Sequence, residues 1–428
     1  MSKFRLSIFL AAITYFFSPV TWSQPVYLQA KQYLDVQTGK LIQPANLLIE
    51  NGIIKAINPA AVPDDAIKIN HPDLTLLPGL MDAHVHISCD NYNKEIVLTL
   101  VTDDAGMSTI RGIKNAKLLL MAGFTTVRDL NQCYPGDSFT TVDLSKASER
   151  GWIDAPHIIP AGHALSMTGG HLDASMFGSF APGVLPDDYR AGIADGVDEV
   201  IKSVRYQIKH GAKVIKAAAT AGVLSDEAGV GNEQYSFEEL KAMVTEANRH
   251  GVPVAVHAHG TQGINDAIRA GVRSVEHGSL LNDESIRLMK QNGTYLVPTT
   301  YLLFGGMNLD ALPPHIRAKA EYILPLAKQN IAKAIKAGVK IGLGTDSSVV
   351  PHGENAKELS SLVALGMTPL GAIQAATIND ADLFGVKNRG QIRQGFDADI
   401  IGVNGDPLNN IRTLEDVKFV MKDGKVYK

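Results

Sequence analysis

The sequence predicts an α/β chain in which a (β/α)8 TIM-like barrel, residues 77–387, sits beside a small β-sandwich domain built from residues 24–76 and 388–428. Three observations predict it. Short apolar runs broken by turns occupy both chain ends, strand-like and helix-like segments alternate between them, and eight of the inner apolar runs have the length of buried parallel strands. The 428 residues fit two or three domains or a single barrel of roughly 250 residues with insertions, so length alone does not choose. With 45% hydrophobic and 20% charged residues, the chain can bury a large core. Its 40 Lys and Arg against 44 Asp and Glu give a net charge of −4, too small and too mixed in sign for a phosphate-tracking surface, so nucleic acid is excluded as a partner.

In chain order, residues 1–23 have the anatomy of a secretory signal: Lys3 and Arg5 precede an apolar run over 6–17, and Thr21, Trp22 and Ser23 lead to a cleavage expected after Ser23. About a dozen apolar residues fall short of the ~20 that span a bilayer, so no stable membrane insertion is expected. The mature chain is expected to be exported, periplasmic or secreted. Cys89 and Cys133 are too few to scaffold it. They follow the first and second barrel strands, where adjacent loops are compatible with either a disulfide or two thiols.

The β texture of the N-terminal part comes from runs at 26–30, 45–50 and 53–57, with Asn51-Gly52 as a hairpin signal. At the C-terminus, runs at 399–403 and 417–421 and the turn Lys422-Asp423-Gly424 repeat it. The candidate barrel strands are 77–87, 125–130, 157–163, 212–219, 253–259, 274–278, 295–300 and 340–347. Helix-like stretches ending in Gly precede several of them, as at 264–271 and 285–293. Residues 178–188, with two prolines, read as a loop over one face.

The polar residues fall at one end of this pattern. His84 and His86 end the first strand, Lys216 lies in the fourth, and His257, His277 and Asp346 end the fifth, sixth and eighth. Side chains two apart on a strand face the same way, so His84 and His86 point together, and barrels carry their active sites at the strand C-termini. A single buried His is ordinarily a packed core residue. Imidazole and carboxylate converging at one barrel end are instead the ligand set of Zn²⁺ and similar ions. Lys216, an ammonium in the run Val214-Ile215-Lys216-Ala217, needs either a carboxylate partner or carboxylation to a carbamate. Arg128, beside Asp129, reads as a substrate-binding carboxylate anchor or as an ion pair bracing the barrel.

These residues resemble the amidohydrolase superfamily of metal-dependent hydrolases. Leu77-Pro78-Gly79-Leu80-Met81-Asp82-Ala83-His84-Val85-His86 is similar to its His-x-His strand, and Gly342-Leu343-Gly344-Thr345-Asp346-Ser347 to its closing Asp strand. Within it, the runs 165–171, 214–216, 234–236, 256–260 and 275–278 resemble an imidazolonepropionase-like branch with Xaa-Pro dipeptidases and Xaa-Arg/Lys carboxypeptidases. The resemblance implies two divalent ions, zinc first among them. His84, His86 and Asp346 would hold one, His257 and His277 the other, and carboxylated Lys216 (N6-carboxylysine) would bridge them, with His259 in a supporting position. It further implies that a metal-activated hydroxide attacks the amide carbonyl with Asp346 as general acid and base, while His171 and Tyr235 bind substrate. The expected reaction releases the C-terminal amino acid from a dipeptide or N-acyl amino acid, in a homo-oligomer. The alternatives are a cyclic-amide hydrolase or deaminase, against which Lys216 speaks, and a non-catalytic periplasmic metal-containing binding protein.

Overall fold

The computed structural model describes residues 24–90, 96–177, 180–227 and 229–428; the expected leader, 1–23, and part of the expected loop 178–188 lie outside them. The chain opens on β1 (Val26–Asp35), β2 (Lys40–Ile42), β3 (Ala45–Glu50), β4 (Ile53–Ile57) and β5 (Ile67–Pro78). Asn51 and Gly52, with φ of 52° and 78°, turn β3 onto β4 as the Asn-Gly signal predicts. β5 continues past the boundary expected after Leu76.

Seven parallel strands follow: β6 (Leu80–Val85), β7 (Phe124–Asp129), β8 (His157–Pro160), β9 (Ile215–Ala218), β10 (Val254–Ala258), β11 (Ser274–His277) and β12 (Tyr295–Val297). They alternate with helices such as Phe237–Arg249, Thr261–Ala270 and Asp283–Asn292. Gly271 and Gly293, at φ 104° and 68°, end two of these helices in the left-handed conformation that an L side chain resists. The fold is the α/β, TIM-like arrangement, with one correction to the expectation. The strands form a three-stranded arc, β6-β7-β8, and a four-stranded arc, β9 to β12, rather than one continuous closed barrel. Single bridges join the arcs, Leu165 with Ala217, Leu296 with Ile341 and Val85 with Ser347. The expected eighth strand, 340–347, is therefore an irregular segment bonded at its ends, with Ala83 N donating to Leu343 O at 2.7 Å and Asp346 N to His84 O at 2.8 Å.

β13 (Ile400–Asn404), β14 (Phe419–Lys422) and β15 (Lys425–Val426) return to the N-terminal strands. The two ends form a single eight-stranded sheet, β15-β14-β13-β5-β1-β3-β4 with β2 on β1, where a sandwich was expected. Strand alternation explains how one sheet serves two cores. Leu76, Ile400 and Met421 pack with Leu28, Leu47 and Phe419 in the sheet's own cluster. Their neighbours Leu77, Ile401 and Val420 join the large core shared with the barrel helices. Among the described residues no helix is long and apolar enough to cross a membrane.

Candidate metal centre

β10 shows how the strands aim the site. Val254, Val256 and Ala258 face the helices in the main core, while Ala255 lies inside the ring with Leu130, Ala161 and Val214. His257 and His259 continue that inner row, so small side chains below leave height for imidazoles above. β9 repeats the device, with Ile215 and Ala217 outward and Val214 and Lys216 inward.

Two clusters result. Ligand atoms of His84, His86 and Asp346 lie within 4.8 Å of one another, and so do those of His257, His259 and His277. Asp346 Oδ1 is 3.1 Å from His86 Nε2 and 3.5 Å from His84 Nε2. Both clusters and Lys216 line one cavity of about 210 Å³. His259, expected in a supporting position, thus stands among the potential ligands, its ring stacked on His277 at 5.0 Å and its Nδ1 2.8 Å from Ser279 Oγ.

Electrostatics fit a cation in this place. Burial, reinforced by nearby His and Lys216, lowers the pKa of His257 and His277 well below the ordinary range; burial first, then Lys216, takes His84 to about 4, and burial and His171 take His259 to about 3. These imidazoles are neutral and offer lone pairs. His257 Nε2 is buried with no hydrogen-bond partner among the described residues, an acceptor position a metal ion would use. Burial would raise Asp346, but His84, His86 and Lys216 outweigh it and hold the carboxylate ionised. For Lys216, burial outweighs the attraction of Glu276 and Asp346 and lowers the pKa to about 8.

Behind the first cluster lies a layer the sequence reading did not single out. Glu276 Oε2 is 3.1 Å from His84 Nδ1, without hydrogen-bond alignment, while Oε1 accepts from Arg128 Nη2 at 2.9 Å and from Ser274 Oγ at 2.6 Å. Burial opposes ionisation of Glu276, but Arg128 and His84 prevail and lower its pKa to about 2. Asp82 accepts from the backbone N–H groups of His84 and Thr345 and from Asn355, tying the first strand to the eighth segment. A carboxylate inside an apolar strand, with an Arg in another apolar strand to pair with across the interior, is the signal that could have found Glu276.

Two expected substrate-binding residues are not brought to the cavity. Arg128 is buried, with Nε donating to Ala83 O at 2.7 Å and the rest of its guanidinium on Ser274 and Glu276. These contacts are those of an ion pair bracing the strands from within. Tyr235 is 1% exposed, packed in the main core, and its hydroxyl donates to Ala194 O at 3.1 Å. An aromatic ring of that size was more useful to the core than to the mouth. His171 does line the cavity, its ring 4.1 Å from that of His257. Cys89 and Cys133 form a disulfide, with Cα atoms 5.2 Å apart, on the cavity wall. The outer wall is apolar, including Leu172, Ile193, Leu224, Leu302, Met307 and Ile323.

Residues 75–427 match the family model described as amidohydrolase family. The chain is 37% identical to the ochratoxinase of Aspergillus niger over 417 residues, 91% of this chain and 84% of that protein. It is 25% identical to the imidazolonepropionase of Deinococcus deserti over 53% of this chain and 51% of that one. A Xaa-Pro dipeptidase structure, with methionine bound in its active site, superposes with a TM-score of 0.87 at 34% identity, covering 95% of this chain and all of that one.

Proposed function

The chain belongs to the amidohydrolase family, a family of hydrolases that typically use divalent metal, and on that footing we propose that it hydrolyses the amide bond of dipeptides or N-acyl amino acids and releases the C-terminal amino acid. The observation that carries this reading is the convergence of two ligand clusters and a buried lysine on one cavity with an apolar outer wall. In this reading His84, His86 and Asp346 would hold one ion, His257 and His277 would hold a second with His259 beside them, and Lys216, as a carbamate, would supply an anionic ligand to both. The depressed pKa of Lys216 supports that modification, because carbon dioxide adds to a neutral amine and releases a proton. When bound, the ions would acidify water and polarise an amide carbonyl. Asp346, kept ionised by its histidines, takes the proton of the attacking water and returns it to the leaving nitrogen. Arg128 and Glu276 hold His84 from behind. The apolar wall receives a large acyl or side-chain group, in keeping with relatives named ochratoxinase and Xaa-Pro dipeptidase.

Among the described residues that line the cavity Lys216 is the only lysine and there is no arginine, so a substrate carboxylate would be met by the metal-bearing floor and His171. Export belongs to the proposal, supported by the pattern of residues 1–23 and by a disulfide that an oxidising compartment permits. The test compares N-benzoyl-L-phenylalanine with its C-terminal amide, using the zinc-loaded protein. The acid should have a kcat/KM on the order of tenfold higher or more, one good charge-assisted contact. Equal hydrolysis of both would replace this reading with a general amidase.

A further inference from the structure

Lys319 stands on the helix Pro314–Lys336, half-buried, and its Nζ donates to three carbonyls of one loop: Gly222 at 3.2 Å, Ser225 at 2.6 Å and Glu227 at 3.1 Å. An ammonium has three donors and no acceptor, so this contact engages all of it. The loop in turn grips His171. Ser225 Oγ is 2.5 Å from the imidazole Nδ1 and Glu227 Oε1 is 3.6 Å from it. Gly222 lies against the ring, where an added Cβ would come within 2.1 Å of Cε1. Glu227 Oε1 also accepts from Gly222 N at 2.9 Å, which closes the loop on itself. Val223 buries the same segment against Leu312, Ile316, Ala320 and Ile323, a cluster separate from the main core.

The helix, the loop and His171 therefore form one connected piece, and its far end rests on His257 with ring centroids 4.1 Å apart. Apolar packing alone would hold the loop to the helix, but it would not select where three carbonyls point. The converging carbonyls fix the loop's backbone, the backbone fixes Ser225 and Glu227, Ser225 sets how the ring is turned by engaging Nδ1, and the acceptor-only carboxylate of Glu227 beside Nδ1 favours the tautomer with its proton there.

We infer that Lys319 is a positioning residue for the hydrolytic site, setting the rotation and tautomer of His171 through residues 222–227. Its effect on the reaction rests on the reading of His171 as a substrate-binding group. Outer partners of this kind typically change binding or activity by about 10 to 100-fold.

The direct test is a long-range proton–nitrogen correlation spectrum of the zinc-loaded full chain labelled at histidine nitrogens, with the His171 signals identified by their loss in His171→Gln. In Lys319→Met those signals should move from one held tautomer towards an averaged pair, and Lys319→Arg, which keeps several donors on the same carbonyls, should restore most of the wild-type pattern. KM for N-benzoyl-L-phenylalanine should rise on the order of tenfold in Lys319→Met, with kcat changed much less. Ser225→Ala cuts the link while leaving the lysine clamp in place, so it should move the same signals even where Lys319→Met fails to fold. Unchanged His171 signals in folded Lys319→Met, or in Ser225→Ala where Lys319→Met does not fold, would overturn the inference. Moved signals with wild-type KM in both Lys319→Met and His171→Gln would uphold Lys319 as the positioner of His171 and remove His171 from substrate binding.

Discussion

His277 and Asp346 carry φ values of 67° and 61°, in the left-handed region that side chains other than glycine resist. For His277 the reason is visible in its neighbours. Glu276 points into the ring to meet Arg128 and His84, so in a regular strand His277 would point outward to the helices. The left-handed turn breaks that alternation and delivers the imidazole to the cavity as well. Two consecutive inward residues thus cost local strain of about 1–3 kcal/mol, which the surrounding packing offsets. Lys216 poses the sharpest question at this scale. As a carbamate it would supply an anionic ligand between the two clusters, and without it the second cluster would have imidazoles alone. Lys216→Ala should then hold markedly fewer than two zinc ions per chain and lose at least 100-fold in activity, and a short carboxylic acid in the buffer should restore part of both. Metal analysis alongside wild type prepared in bicarbonate checks this, and an unchanged count of two ions would dismiss the bridge.

Where the barrel and the terminal sheet meet, elements are joined by charge as well as by apolar packing. His157 opens β8, and its Nε2 lies 3.4 Å from Asp399 Oδ2 and 3.3 Å from Asp423 Oδ1, on either side of β13 and β14. Burial favours the neutral ring and Arg389 repels its charge, but Asp399 and Asp423 outweigh both and raise its pKa above the ordinary value. Lys422, 3.2 Å from Asp423, competes for the same carboxylate. A raised folded-state pKa means that the stabilisation is complete below the unfolded value of about 6.5 and is lost as pH climbs through the folded one. His157→Gln should therefore destabilise by about 1.5–3 kcal/mol at pH ~5.5 and by clearly less at pH ~9. Denaturant unfolding of both proteins at the two pH values measures it. A difference that does not shrink with pH would mean that packing, not charge, joins the elements.

Across the whole molecule the main core runs from the barrel helices to one face of the terminal sheet, so Leu34, Leu77 and Ile401 share a cluster with Val256 and Val275. Sheet and barrel should unfold together, and what stabilises the cavity should stabilise both. Ions held only by the folded chain add stability as the logarithm of their excess, about 4 kcal/mol at a thousandfold excess over Kd. Removing divalent ions with a chelator should lower Tm by several degrees in a single transition, and zinc should restore it. A Tm indifferent to chelation would argue that the two clusters do not bind ions in solution.

Local chemistry was enough to place much of this protein. Strand and helix periods located β6 to β12, Asn51-Gly52 marked its hairpin, and the polar residues His84, His86, Lys216, His257, His277 and Asp346 stood out because imidazole, ammonium and carboxylate are costly in apolar strands without a shared purpose. Resemblance to a family supplied the chemistry proposed for those residues. What the chain could not disclose were relations between distant segments. Single bridges at Ile341 and Ser347, with a left-handed backbone at Asp346, stand where the eighth strand was expected, and the two chain ends form one sheet instead of a sandwich. In sequence Arg128 read as a carboxylate anchor or as a bracing ion pair, and Tyr235 as a substrate group by resemblance, and only packing sent one to Glu276 and the other to Ala194. Lys319 and His171 lie 148 positions apart, yet a single loop couples them. Periodicity reports which face of an element is buried, whereas the partner across that face depends on how the elements pack.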